Sequence, residues 1–186
     1  MVGLLASALA AGCGGVGEST HAATGGSTDG GAVDGGSASG GGGAPDPFAV
    51  APTCTSGMNW TRGDHGSSEM NPGRACIACH TTMNGPPLTI AGTIYPTAHE
   101  PDLCDGADGS NGARIEITGA DGQTLALTPN ASGNFDSGAR VAFPFTVRVT
   151  YAGRTRAMTA AQTSGDCNGC HTQAGASNAP GRILLP

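Results

Sequence analysis

The longest regular pattern of apolar positions in this chain covers 141–151. Every second residue there is valine, phenylalanine or tyrosine, which is the period of a β-strand with one buried face. Shorter alternating runs occupy 88–95, 114–118 and 124–128, and glycine-containing turn signals separate them. The pattern predicts a mainly β fold, a small antiparallel β-sandwich over about 88–159.

The start of the chain has a different pattern. Residues 1–12 are apolar with small residues before Cys13, as in an export signal. They resemble the lipobox of bacterial lipoproteins, in which this cysteine is acylated. Residues 14–47 are mainly Gly, Ser, Ala, Thr and Asp, which predicts a disordered linker. We therefore expect a signal peptide with its lipobox at 1–13 and one folded domain at 48–186.

This organisation predicts an exported protein of the bacterial cell envelope. A lipid on Cys13 would anchor it to a membrane, facing the periplasm or the cell surface, with the linker as a flexible tether. The run departs from the pattern in two ways, since no Arg or Lys precedes it and Ala10 stands where a lipobox more often has Leu. The alternative is an ordinary cleaved signal with an unmodified Cys13.

Two five-residue segments share the pattern Cys-x-x-Cys-His, at 76–80 and 167–171. Residues at i, i+3 and i+4 share one face of a helical turn. Two thiols so placed can bond the vinyl groups of one porphyrin, while the imidazole ligates its iron. The pattern is the attachment signature of c-type haem, and the chain resembles a dihaem c-type cytochrome. The predicted attachment residues are Cys76, Cys79 and His80 for one haem, and Cys167, Cys170 and His171 for the other.

Short helices are expected to carry both motifs. Asn71 and Pro72 offer an N-cap and a first helical residue before the first motif. Thr163, Ser164 and Asp166 can cap a turn before the second.

The seven cysteines can be divided completely among these roles. Cys13 takes the lipid and the two motifs take four thiols. Cys54 and Cys104 are then left to form a disulfide, which suits an oxidising compartment.

Each iron also needs a sixth ligand if it only transfers electrons. We predict His99, in a proline-flanked loop after a strand, for one of the haems. Met70 lies six residues before Cys76 and is a second candidate for a distal ligand. Met158 is interpreted as a core residue. The second haem's distal ligand is not assigned.

The acidic net charge of the chain argues against nucleic acid as a partner. The chain has no lysine, and its eight arginines face fourteen acidic residues, for a net charge of −6. Nucleic-acid binding needs a basic surface, so we expect no nucleic-acid partner. The remaining expected partners are redox proteins whose identity the sequence does not indicate.

The order of four β segments carries a second resemblance. The segments AGTIY at 91–95, GARIEI at 112–117, NASGNF at 130–135 and FTVRV at 145–149 resemble the carboxypeptidase regulatory-like, transthyretin-type sandwich. The similarity covers about 70 residues and implies a non-catalytic scaffold.

These observations favour electron transfer by a membrane-anchored dihaem cytochrome that is not an enzyme, and a small-molecule redox reaction at a five-coordinate haem is a further alternative. A peroxidase-like or nitrite-reducing reaction needs distal acid and base groups, and the sequence shows no such constellation. The alternative is a non-enzymatic lipoprotein in which the two CxxC pairs clamp zinc. The roughly 87 residues between the pairs exceed the usual spacing of about 15–20 in local zinc sites.

Overall fold

The computed structural model describes residues 46–186. The predictions for residues 1–45, namely the signal peptide, the lipid on Cys13 and nearly all of the linker, lie outside the described residues. The described chain forms two short helices and seven strands: α1 Cys76–Met83, β1 Ile90–Tyr95, β2 Arg114–Thr118, β3 Thr124–Leu127, β4 Asn134–Ser137, β5 Thr146–Tyr151, β6 Arg154–Ala157, α2 Cys167–Cys170 and β7 Ile183–Leu184.

The strands form two sheets, and the predicted mainly β sandwich is confirmed. One sheet has the order β3-β2-β5-β6 and is antiparallel throughout. The other has the order β4-β1-β7, in which β1 pairs antiparallel with β4 and parallel with β7. The seventh strand lies beyond the predicted range of 88–159, because the chain returns to β1 after the second motif.

A single apolar core joins the two sheets. Isoleucine side chains from β1 and β2 are fully buried in it, together with Phe145 just before β5. Burial of this apolar surface is the main contribution to the stability of a small domain. The buried members are Ile90, Ile94, Ala113, Ile115, Ile117, Phe135, Val141, Phe145 and Val149.

The alternating run at 141–151 forms a shorter strand than its pattern suggests, since β5 begins at Thr146. Pro144 has no backbone N–H to donate to a neighbouring strand. Phe143 is 46 % exposed, whereas Phe145 is buried and pairs through its backbone with Gln162.

All six residues of β1 are buried, because elements cover both faces of this strand. A Cβ atom added at Gly92 would lie 2.7 Å from the Phe135 ring and 2.9 Å from Cys167 Cβ. Glycine at this position therefore allows α2 to pack closely on β1.

Cys54 and Cys104 are bonded to each other, which is the pairing expected from the sequence. The bond ties the segment before α1 to the loop after β1. Beside it, the buried carboxylate of Glu100 accepts hydrogen bonds from the backbone N–H and hydroxyl of Thr55 and from the Thr97 hydroxyl. Within 46–186, no helix is both long and apolar enough to cross a bilayer.

Candidate functional site

Both Cys-x-x-Cys-His motifs lie on helices, as the sequence predicts. Cys76, Cys79 and His80 belong to α1, whereas α2 ends at Cys170 and His171 is its C-cap. All six cysteine and histidine side chains of the two motifs are partly buried. Each motif therefore places two sulfur atoms and one imidazole on a single turn at the surface of the sandwich.

A backbone carbonyl orients the His80 ring. Its Nδ1 lies 2.9 Å from the Pro86 carbonyl oxygen. The chain reaches this position because α1 ends at Asn84, in the left-handed conformation. A Cβ at Gly85 would lie 2.8 Å from His80 Cγ, so only glycine lets the loop lie against the ring.

The His171 ring is held in the same way, with Nδ1 2.8 Å from the Gly181 carbonyl oxygen. A carbonyl oxygen only accepts hydrogen bonds, so Nδ1–H is the donor in both histidines, and in the neutral imidazole Nε2 then carries the lone pair. Burial lowers the pKa of His171, partly opposed by the hydrogen bond to Gly181. The ring is therefore neutral at neutral pH.

Histidines that ligate metals commonly donate their second ring N–H to a carbonyl or carboxylate, which sets the tautomer and the ring orientation. His80 and His171 both show this arrangement, and each follows two cysteines at the spacing that c-type haem requires. The ligand types, their spacing and the ring orientation thus fit haem c at the first motif, whereas Cys170 of the second motif is disulfide-bonded in this structure.

Burial, reinforced by the charge of Asp166, raises the pKa of the Cys76 and Cys167 thiols to about 12.

The two motifs contact each other through Asp166. Its Oδ2 accepts a hydrogen bond of 2.9 Å from the backbone N–H of Ala78, within the first turn of α1. Its other oxygen, Oδ1, is buried without a hydrogen-bond partner. The residue that precedes the second motif therefore satisfies a free backbone donor of the helix that carries the first.

The predicted N-cap of α1 is wrong, whereas Asp166, one of the residues predicted to cap α2, is confirmed as its N-cap in position only. α1 begins at Cys76 with Ala75 as its N-cap, because 71–74 forms a turn closed by the Arg74 N–H and the Asn71 carbonyl. Asp166 is the N-cap residue of α2, but its side chain makes no cap hydrogen bond there. Its carboxylate is used by the other helix.

Asn168, the first variable residue of the second motif, is a positioning residue that the sequence analysis missed. It is 2 % exposed. Its Oδ1 accepts from the Thr93 backbone N–H at 3.1 Å, and its Nδ2 donates to the Arg74 carbonyl at 3.0 Å and to Thr93 Oγ1 at 3.1 Å. One amide therefore ties α2 to β1 and to the turn before α1. The Cys-x-x-Cys-His pattern accepts any residue at this position, so nothing in the sequence indicated that Asn168 has a role.

We expect Asn168→Ala to lower the free energy of unfolding by about 2 kcal/mol, because it leaves the Thr93 N–H and the Arg74 carbonyl without their buried partner. Denaturant unfolding of the purified domain measures this change. Gly169→Ala is the matched control in the same motif, since a Cβ there has no neighbour closer than 4.0 Å. Equal stability of the two variants would contradict the assigned role of Asn168.

The predicted distal ligand His99 lies beside the second motif. Its Nδ1 is 2.7 Å from the carbonyl oxygen of Gln173, in the loop after His171. The fold thus places His99 beside the second motif, which is the more distant of the two in sequence. The ligation of a haem iron by His99 stays a prediction. Met70 is partly buried, and its carbonyl accepts from Asn134 Nδ2.

The structure does not assemble the four motif sulfurs into a zinc site. Among residues 46–186, the one group of three potential ligand atoms within 4.8 Å of one another is formed by Cys54, Glu100 and Cys104. Two members of this group are bonded to each other, so they are not free thiolates. Cys170 is also disulfide-bonded, and attachment of haem to the second motif requires that this bond first be reduced.

No protein-family model, curated protein or solved structure matches this chain. A fold by itself does not determine function, which depends on the chemistry of the site.

Proposed function

We propose that the protein is a dihaem c-type cytochrome that transfers single electrons at the bacterial cell envelope. The observation that carries the proposal is the arrangement of both motif histidines. In each, a backbone carbonyl engages Nδ1 and leaves Nε2 as the ligating atom beside two cysteines.

In this proposal the cysteine pairs hold the two porphyrins through thioether bonds. Cys76 and Cys79 serve one haem, and Cys167 and Cys170 serve the other, with His80 and His171 as proximal ligands. When bound, haem c supplies an iron that changes its oxidation state by one electron.

The contact between the motifs favours exchange of electrons between the two haems. Asp166 joins the motifs through the Ala78 N–H, and Asn168 Nδ2 lies 4.0 Å from Cys76 Sγ. Because residues of the two motifs contact each other directly, the two haems would act together as one electron-transfer unit.

The remaining parts of the proposal concern location and scaffold. A lipid on Cys13 and the linker at 14–47 would keep the domain near a membrane, where redox proteins are its partners. The sandwich would serve as a non-catalytic scaffold of the carboxypeptidase regulatory-like type. No observation specifically favours the zinc clamp or an enzymatic reaction.

Intact-mass and visible-absorption measurements test the proposal on protein expressed with a cytochrome c maturation system. We expect two haem increments that survive denaturation. The double variant Cys76→Ala, Cys79→Ala is expected to lose one increment, and so is Cys167→Ala, Cys170→Ala.

The matched control is Gly169→Ala, which lies within the second motif, keeps all four motif cysteines and both histidines, adds a Cβ with no neighbour closer than 4.0 Å, and should retain both increments. Protein without covalent haem that contains stoichiometric zinc would overturn the proposal.

A further inference from the structure

The chain contains three asparagine-glycine pairs, at 84–85, 111–112 and 168–169. In such a pair the glycine nitrogen can attack the side-chain carbonyl carbon of the asparagine, because glycine has no side chain to obstruct the approach. Asparagine is accordingly among the thermolabile residues of proteins. All three pairs share this local chemistry, so a difference in their reactivity must come from the fold.

The pair at 168–169 is protected by burial and by hydrogen bonds. Asn168 is almost fully buried, and its side-chain amide bonds to Thr93 and to the Arg74 carbonyl. The Gly169 N–H donates to the Asp166 carbonyl at 3.0 Å. Attack on the Asn168 side chain would require local opening that breaks these bonds.

The pair at 84–85 is exposed at its asparagine but protected at its glycine. The side chain of Asn84 lies in solvent. The Gly85 N–H, however, donates to the His80 carbonyl at 2.8 Å. The nitrogen that would have to react is therefore held by the end of α1.

The pair at 111–112 has neither form of protection. Asn111 and Gly112 are both exposed. Among residues 46–186, the Gly112 N–H donates to no acceptor. A Cβ at Gly112 would have no neighbour within 4 Å, so the space around the reacting nitrogen is open.

The loop around this pair is held at its base and free at its tip. The Ala107 N–H donates to the Ile94 carbonyl at 2.9 Å, and the Gly109 N–H donates to the Asn130 carbonyl at 3.3 Å. Residues 110–112, in contrast, are all exposed. Changes at exposed loop tips are well tolerated, so a reaction at Asn111 does not require the domain to unfold.

We propose that Asn111 is a site of spontaneous deamidation, with the Gly112 nitrogen as the nucleophile. A bond forms between this nitrogen and Asn111 Cγ, and the side-chain nitrogen leaves as ammonia with the proton that Gly112 loses. Water then opens the resulting succinimide ring at either carbonyl, which yields aspartate or isoaspartate without any change in oxidation state. The reaction does not depend on haem attachment.

The product would alter the charge of this loop. Asn111 Nδ2 donates to Asp108 Oδ2 at 3.4 Å, whereas a carboxylate at position 111 can only accept hydrogen bonds. Deamidation therefore replaces an attractive contact by two like charges, and the net charge of −6 becomes one unit more negative. We expect the protein to accumulate a more acidic form as it ages.

The test is a comparison of the three pairs in the folded and unfolded protein. Purified protein is incubated at mildly alkaline pH, and mass spectrometry with peptide fragmentation then measures the conversion of each asparagine. We expect Asn111 to react first in the folded protein, with Asn84 and Asn168 several-fold slower. In denaturant with reductant, all three should react at similar rates. Folded protein in which Asn84 or Asn168 reacts as fast as Asn111 would overturn the proposal.

Isoelectric focusing of variants provides a second measurement. Asn111→Gln lengthens the side chain by one methylene, so the ring forms much more slowly, and we expect loss of the acidic form. Asn84→Gln is the matched control at an equally exposed asparagine, and it should form the acidic species at the parent rate. An undiminished acidic form in Asn111→Gln would show that another residue is modified.

Discussion

Replacement of Cys54 and Cys104 by alanine is expected to lower the free energy of unfolding by about 4 kcal/mol. The disulfide closes a loop with a sequence separation of 50 residues, and the loss of chain entropy in the unfolded state predicts a stabilisation of that size. The native contacts around the bond add to this, because Cys104 is fully buried.

Denaturant unfolding, followed by tryptophan fluorescence, measures this effect. Trp60 is a suitable probe, since its backbone N–H donates to the Leu103 carbonyl at 2.7 Å, next to the bond. Met58→Ala is the control on the same segment, because its side chain is 59 % exposed and surface substitutions cost within about 0.5 kcal/mol. A cost below about 1 kcal/mol for the alanine pair would show that the bond adds little stability.

Replacement of Arg182 by methionine is expected to lower the free energy of unfolding by about 3 kcal/mol. The Arg182 side chain is fully buried, yet it donates to the carbonyls of Glu100 and Gly73, each at 2.8 Å, and pairs with Asp102 at 2.6 Å. Methionine has similar length but no donor, so the buried carbonyls lose their partner.

The matched control is Arg148→Met. Arg148 also pairs with a carboxylate, that of Glu116, but its side chain is 56 % exposed. Exposed ion pairs contribute at most about 1 kcal/mol. Thermal and denaturant unfolding of the two variants should therefore differ clearly. Equal losses would mean that burial does not determine the contribution of Arg182.

Arg182 also contacts the backbone around both Cys-x-x-Cys-His motifs. Its guanidinium donates to the carbonyl of Gly73, before the first motif, and at 3.3 Å to that of His171. Together with Asp166 and Asn168, it holds the two motifs in one arrangement. We therefore expect loss of Arg182 to disturb both motifs, although it lies in neither.

Much of the architecture could be predicted from local pattern. The alternation of apolar residues predicted strands at 88–95, 114–118 and 124–128, and the structure has strands at Ile90–Tyr95, Arg114–Thr118 and Thr124–Leu127. The apolar pattern did not predict β7, because a strand of two residues is too short to show a period.

The candidate site, like the fold, was predicted only in part from the sequence. The sequence alone determined the ligand types and their spacing in both motifs, because Cys-x-x-Cys-His lies within one helical turn and its geometry is local. It also determined the β class of the domain, since a period of two residues depends only on neighbours along the chain.

Only the tertiary structure decided how the motifs are held and what faces them. Asp166 caps a helix 88 residues away, and Asn168 binds Thr93 across 75 residues. Met158 lines the same cavity as Cys167, Cys170 and His171, and His99 contacts the loop after His171. Such contacts join residues that are far apart in the sequence, so they depend on how the whole chain folds. A short-range period or motif gives no information about them.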